Sequence, residues 1–295
     1  MTEPTQRVRV NGLEYALHRF GEPARDRFPE RRTLLLLHGF LDAGATWDRV
    51  APHLLAAGYD VVAPDLRGFG STEWIGSGGY YHFPDYVADV EDLVASLAPA
   101  WLGVVGHSMG GGVAALYAGT RPDRVRKLAI LEGLGPMDEP PALAVDRMRR
   151  WLEDRRRVVD RQPRPLGDLE AATDRLAASH PRLDRDLLRS RAALLTRALP
   201  SGELAWSWDP LHRTASPTPF SGRVFESFLR AITCPVLFVD GGPTGWHPPD
   251  EDERLATIAE LTKRSLPDAG HMMHWSHPDE LARFILEAFA DAPAR

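Results

Sequence analysis

The stretch Gly106-His107-Ser108-Met109-Gly110 constrains this chain more than any other. An apolar run, Trp101 to Val105, leads into it, and a segment rich in small residues, Gly110-Gly111-Gly112 with Ala114 and Ala115, leads out. The first has the character of a strand buried on both faces, the second of a helix packed closely on its neighbours. A serine between glycines at a strand-to-helix junction is the setting of a nucleophile elbow. Side chains two before and two after the serine would collide in so tight a turn, so glycine is required at both places. The turn lifts the hydroxyl above the sheet edge, at a helix N-terminus whose amides favour developing negative charge.

The flanking text alternates between strand and helix. Residues 7 to 18 alternate around Asn11-Gly12, which predicts two antiparallel strands joined by a tight hairpin. Leu34 to Leu37, ending at His38-Gly39, and Val61 to Pro64, ending at Asp65, read as buried strands. Tyr86, Val87, Val90, Leu93, Val94 and Leu97 recur at helical steps of three and four. A strand over 101 to 105, a helix over 109 to 119 and a strand over 128 to 131 continue the series. Strands separated by helices imply parallel pairing through right-handed crossovers, hence an α/β fold with a helix-covered sheet.

From about Met137 to Arg230 the rhythm breaks, leaving only helical patterns and proline-rich turns. Leu187, Leu188, Leu194 and Leu195 mark one helix; Met148, Trp151, Leu152, Val158 and Val159 mark another. Strand-like text resumes at Val236 to Val239, followed by a helix near 250 to 261, a short strand before Pro267, and a last helix with Leu281, Phe284, Ile285 and Phe289 on one face. The expected division is a core over 1–136, an all-helical cap over 137–230 and the rest of the core over 231–295. Arginines between Arg147 and Arg164 are mixed with Glu153, Asp154 and Asp160, which favours a solvated, ion-paired helix face over an anion-binding patch.

Composition narrows the partners. The 295 residues suit one catalytic core with an inserted subdomain, and a formal net charge of -6 offers no basic field for nucleic acid or an anionic membrane. Cys234 is the only cysteine, which excludes an intramolecular disulfide and a thiolate cluster; lying before Pro235 at the start of an apolar run, it reads as a buried structural thiol. The first residues, Met1 to Arg7, lack the basic and apolar regions of a signal peptide, and no run approaches the roughly 20 apolar residues of a membrane span. A cytoplasmic, cofactor-free protein with a small-molecule substrate is expected, and nothing in the sequence sets its oligomeric state.

Taken together, His38-Gly39-Phe40, Asp65-Leu66-Arg67-Gly68-Phe69-Gly70-Ser71, the elbow at Ser108 and Ala269-Gly270-His271 give a chain that resembles the α/β-hydrolase family over nearly its whole length outside the cap. The resemblance implies a mostly parallel, twisted, eight-stranded sheet covered by helices on both faces. It also implies an oxyanion hole built from the amides of Phe40 and Met109. The Asp65 to Ser71 stretch looks like a structural turn.

A serine hydroxyl is barely nucleophilic at neutral pH, so a base must take its proton. His271 is best placed of the 11 histidines: it follows the last expected strand and completes the order serine, acid, histidine. His274 and His277 follow at ligand-like spacing, but with no carboxylate or cysteine beside them they read as packing or pocket lining rather than metal ligands. The commoner family pattern puts an aspartate in the loop Asp240 to Gly245, where the matching position holds Thr244. Two carboxylates can stand in for it: Glu132, at the end of the strand after the nucleophile strand, is the preferred acid, and Asp240, at the tip of the later strand, is its rival.

His38, Trp206, Trp208, Trp246, Met272 and Trp275 are the candidate substrate-lining residues, which points to an apolar or aromatic acyl part. The expected reaction is hydrolysis of a small carboxylic ester, lactone or thioester through an acyl-enzyme. A carbon-carbon bond hydrolase or cofactor-free perhydrolase, using similar residues, is the enzymatic alternative. A non-catalytic ligand-binding protein on the same fold is the other.

Overall fold

The computed structural model describes residues 4–24, 28, 30–76, 78–158 and 162–291. Met1 to Glu3, and Val159 and Asp160 of the arginine-rich stretch, lie outside the described residues. The chain opens with the antiparallel pair β1 (Gln6–Val10) and β2 (Leu13–His18). Their turn places Asn11 at φ 48° and Gly12 at φ 82°, the two positive values that a two-residue hairpin of this hand requires. Next come β3 (Arg32–Leu37), α1 (Ala51–Ala56), β4 (Asp60–Pro64), α2 (Phe83–Leu97), β5 (Trp101–His107), α3 (Met109–Thr120) and β6 (Lys127–Leu131).

Beyond β6 lie α4 (Ala144–Arg157), α5 (Leu169–Ser179), α6 (Arg185–Leu195), the short strands β7 (Thr196–Ala198) and β8 (Leu204–Trp206), and α7 (Gly222–Ala231). The chain then rejoins the sheet through β9 (Val236–Asp240), α8 (Glu251–Leu255), β10 (Leu261–Ser265), α9 (Met273–Ser276) and α10 (Pro278–Phe289). The eight-stranded sheet runs β1-β2-β4-β3-β5-β6-β9-β10, antiparallel only at the β1–β2 and β2–β4 pairs.

Both faces of the central strands are buried because their side chains alternate between two cores. Leu35, Leu37, Val104, Leu128, Ile130 and Phe238 face one core, closed by Val90 and Val94 of α2, Val113 of α3 and Phe225 and Leu229 of α7. Leu34, Leu36, Val105, Ala129, Leu131 and Val239 face the other, closed by Leu54 of α1 and Leu281, Ile285 and Phe289 of α10. Asp65 ties the turn after β4 together, accepting from the amides of Gly44 at 2.7 Å and Ser71 at 2.8 Å. Burial opposes its ionisation, but the His18 imidazole 3.1 Å away and the Ser71 amide outweigh that and hold its carboxyl below the usual range.

The segment 137–230 departs from the all-helical expectation in two ways. It contains the β7–β8 hairpin, whose strands of three residues each are too short to show an alternating pattern. Its last helix, α7, lies on the sheet against α3, so closely that a Cβ on Gly119 would sit 2.3 Å from the Phe228 carbonyl oxygen. It is therefore the crossover helix between β6 and β9; α4 to α6 and the hairpin make up the rest of the segment, α5 and α6 packing in a cluster of their own with Met272 and Trp275.

The two ends of that piece meet. The Glu139 amide donates to the Phe220 carbonyl at 3.0 Å, and the Gly222 amide to Asp138 Oδ1 at 2.6 Å. Farther out, Arg191 of α6, almost fully buried, makes a two-pronged ion pair with Asp48 at 2.6 and 2.7 Å and donates to the Thr46 carbonyl at 3.1 Å. The α4 surface is ion-paired as expected: Arg149 with Asp146, and Arg157 with Asp154 and Glu153. Among the described residues no helix is long and apolar enough to cross a membrane.

Candidate active site

The elbow is as tight as its sequence demands. A Cβ on Gly106 would lie 2.3 Å from the Gly110 carbonyl oxygen, and one on Gly110 would lie 2.4 Å from that of Leu37. Ser108 itself takes φ 52° and ψ -118°, a backbone state costing of order 1–3 kcal/mol that the surrounding packing must hold. Its amide donates to the Leu131 carbonyl at 2.8 Å, tying the turn to the end of β6.

His271 reaches this serine from the loop after β10. Its Nε2 lies 3.0 Å from Ser108 Oγ and its Nδ1 lies 2.6 Å from Glu132 Oε2. A carboxylate only accepts, so Nδ1 carries the proton and Nε2 is left to accept from the serine hydroxyl. Glu132 directly follows β6 at φ 48°, again left-handed, with its side chain buried. The amides of Gly241, at 2.5 Å, and Trp246, at 2.7 Å, also donate to its carboxylate.

The loop without the usual aspartate is shaped around this glutamate. A Cβ on Gly245 would lie 1.7 Å from Glu132 Oε1, and one on Gly241 would lie 2.8 Å from the same atom. Asp240, the other carboxylate in view, is turned elsewhere: its Oδ1 accepts from the Gly242 amide at 3.0 Å and from Ser265 Oγ at 2.6 Å. Thr244 Oγ1 accepts from Arg182. The structure thus brings Ser108, His271 and Glu132 into one chain of hydrogen bonds and leaves Asp240 out of it.

Phe40 and Met109 lie beside Ser108. Gly39 lets their loops approach, since a Cβ there would come within 2.8 Å of His107 Nδ1 and 3.1 Å of Ser108 Cβ. The amides of Phe40 and Met109 make no hydrogen bond to the described residues, so both remain available as donors.

A buried polar layer supports the histidine loop. His107 Nε2 donates to the His271 carbonyl at 2.7 Å, and His274 Nε2 lies 3.0 Å from Asp42 Oδ2. Burial depresses both imidazoles well below their ordinary value, which keeps them neutral, and raises the Asp42 carboxyl. The ligand-type atoms of Asp42, His107 and His274 lie within 4.8 Å of one another. A carboxylate therefore does stand beside His274, supplied by the loop after β3 rather than by neighbouring sequence. Its oxygens are committed to Thr46 Oγ1, at 2.8 Å, and to His274.

A cavity of about 600 Å³ opens over Ser108, Met109 and His271, with Phe40 and Trp246 in its wall. The other proposed lining residues lie elsewhere. His38 is fully buried below the site, with Nδ1 donating to the Gly39 carbonyl at 2.8 Å and Nε2 accepting from the Leu66 amide at 2.9 Å, so it shapes the loop and cannot face a ligand. Trp206 and Trp208 stack on each other at 4.7 Å between α4–α6 and the core. Met272 and Trp275 pack with Leu188 and Leu195 of α6.

In their place stand Tyr80, Tyr81, Phe83, Tyr86, Leu211 and His212. The aromatic cluster Tyr80, Tyr81, Phe83 and Tyr86, spanning the start of α2, was the available signal for the first four. Leu211 and His212 lie in a single 3-10 turn, Pro210–Arg213, too short for any periodicity to mark them. Cys234 is buried, which pushes its thiol up to about 11 and keeps it out of any thiolate chemistry.

The family described as alpha/beta hydrolase fold matches residues 32–278. The chain is 30% identical to a 3-hydroxybutyrate-oligomer hydrolase of Cupriavidus necator, over 90% of each chain. It is 27% identical to a serine hydrolase-like protein of Dictyostelium discoideum, over 86% of this chain and 74% of that one. Among solved structures, the thioesterase domain from the curacin biosynthetic pathway superposes with a TM-score of 0.80 at 26% identity, covering 95% of this chain and 98% of that one. With these relatives, and with its sheet order and elbow, the chain belongs to the α/β-hydrolase family.

Proposed function

We propose that this hydrolase is a serine esterase that cleaves a small, apolar or aromatic carboxylic ester, lactone or thioester through an acyl-enzyme. The observation that carries the reading is the 3.0 Å contact of Ser108 Oγ with His271 Nε2, backed by the 2.6 Å contact of His271 Nδ1 with Glu132. Ser108 Oγ attacks the carbonyl carbon while His271 Nε2 takes its proton. Glu132 holds the imidazole in that tautomer and stabilises the cation. The carbonyl oxygen, now an oxyanion, receives the amides of Phe40 and Met109. Collapse expels the alcohol or thiol, which takes the proton from His271. Water, deprotonated by the same imidazole, then releases the acid and restores Ser108. The three histidines that burial keeps neutral near the site, His38, His107 and His274, offer no competing charge to the imidazolium.

The reading extends to a cytoplasmic setting, supported by a single buried cysteine that needs no oxidising compartment. A fluorophosphonate probe tests the chemistry, because it reacts only with an activated serine. The wild-type protein is expected to incorporate one equivalent at Ser108, and Ser108→Ala none. A wild-type protein that stays unlabelled overturns the reading and returns the chain to a ligand-binding role.

A further inference from the structure

The cavity over Ser108 has two unlike walls. On the oxyanion side the His212 ring is sandwiched between Phe69 and Tyr81, each at 3.9 Å between centroids, with Phe40 edge-on at 6.4 Å. Tyr86, Phe83 and Leu211 complete this wall. On the histidine side, Gly135, Pro136 and Trp246 stand beside Glu132, and the Trp246 ring N–H points back to the Gly135 carbonyl at 3.5 Å.

The side-chain hydroxyls and ring N–H of the aromatic wall are already used. Tyr81 O–H donates to Asp209 Oδ2 at 2.9 Å. His212 Nε2–H donates to the Arg67 carbonyl at 3.2 Å, which leaves Nδ1 to accept from Tyr86 O–H at 3.4 Å. Tyr80 O–H donates to the Ala215 carbonyl at 2.8 Å, and Thr214 Oγ1 to that of Leu211 at 2.7 Å. Burial pushes His212 down to about 3, so it brings no charge at neutral pH. Neither lysine nor arginine lines the cavity among the described residues.

Orientation follows from the proton path. The leaving oxygen must take its proton from His271 Nε2, so the leaving group lies toward Pro136 and Trp246. The carbonyl oxygen points to the Phe40 and Met109 amides, which leaves the aromatic wall for the acyl chain. We infer that this wall takes an uncharged hydrocarbon or aryl acyl chain and rejects one ending in a carboxylate. The inference rests on the esterase reading above. A carboxylate placed there would lose its hydration and find neither an unspent side-chain donor nor a cation in exchange.

The test compares phenyl hexanoate with the phenyl monoester of adipic acid, which has the same six-carbon chain but a terminal carboxylate. Phenol release at pH 7.5 is normalised to active serine counted by fluorophosphonate labelling. The expected result is a kcat/KM at least a hundredfold lower for the monoadipate, recovered to within about tenfold when its free carboxylate is methylated. Moving the carboxylate to the phenol ring, as in 4-carboxyphenyl hexanoate, is expected to cost less than about tenfold. Two results overturn the inference while leaving the esterase reading standing: monoadipate turnover within threefold of hexanoate, or an equal penalty for a carboxylate on either half. Failure of Ser108 to label instead removes the esterase reading, and the inference with it.

Discussion

Gly245 is the residue whose side chain matters most by being absent. Because a Cβ there would occupy the place of Glu132 Oε1, Gly245→Ala is expected to displace the carboxylate and lower kcat on phenyl hexanoate by at least a hundredfold, with little change in KM. Glu132→Gln removes the acceptor that sets the His271 tautomer, and a loss in kcat on the order of 10³ to 10⁴ is expected. Asp240→Asn, remote from the imidazole, is expected to stay within about threefold in kcat. Parallel steady-state assays of the three variants check this; an Asp240→Asn loss exceeding that of Glu132→Gln would reverse the assignment of the acid. Ser108 and His271 were legible because each sits in a local pattern that only a few backbone conformations satisfy. Glu132 is favoured over Asp240 in the sequence by its strand position alone, since the choice depends on which of two neighbouring strand ends turns its side chain toward the imidazole. The readable trace of the Glu132 packing was glycine at 241 and 245, where a Cβ would meet its carboxylate. His38 misled for a related reason: a histidine beside an oxyanion loop resembles a ligand contact until both of its ring nitrogens are seen to be spent on backbone.

At the level of elements, the strands with continuous apolar text and the amphipathic α2 and α10 could be read ahead of the coordinates, because a sheet buried on both faces leaves a dense signature. The piece between β6 and α7 was less transparent. The β7–β8 hairpin is too short for alternation, and α7 follows α4 to α6 with no strand text between to mark it as the helix that covers the sheet, although it is the most amphipathic of the four. Met148 and Leu152, which mark the α4 periodicity, are about half exposed, at 44% and 49%. Replacing both with glutamate is therefore expected to shift unfolding free energy by less than about 0.5 kcal/mol each, measured by urea titration. Asp48→Ala tests the opposite case, since it strands the buried Arg191 cation. Asp48 is itself partly solvated, so the expected cost is about 2–3 kcal/mol rather than the larger figure of a fully buried pair.

For the molecule as a whole, buried neutral histidines set the response to acid. His212 falls from 6.5 to about 3 on folding. The unfolded chain therefore binds a proton near pH 6.5 that the folded chain refuses until about pH 3. This stabilisation is complete above pH 6.5 and is lost as pH falls through that window, at up to about 1.4 kcal/mol per pH unit. At pH 5 His212 alone accounts for about 2 kcal/mol, and burial shifts His38, His107 and His274 in the same direction. Asp42, raised by burial, acts oppositely, favouring the folded state as its carboxyl protonates. Urea unfolding at pH 7.5 and pH 5.0 is expected to show the loss, and His212→Phe, which cannot titrate, is expected to lose about 2 kcal/mol less between the two.

The bonds joining Asp138 to Gly222 and Glu139 to Phe220 carry one more consequence. Some eighty residues depart from and return to a single doorway, so what lies beyond it can be exchanged without re-threading the sheet. A graft cut at that doorway would keep the serine, the imidazole and the glutamate in register, while replacing the stretch that brings Leu211 and His212 to the cavity wall. Its cost would fall on Met272 and Trp275, left facing water, and any successful transplant must bring its own cover for them.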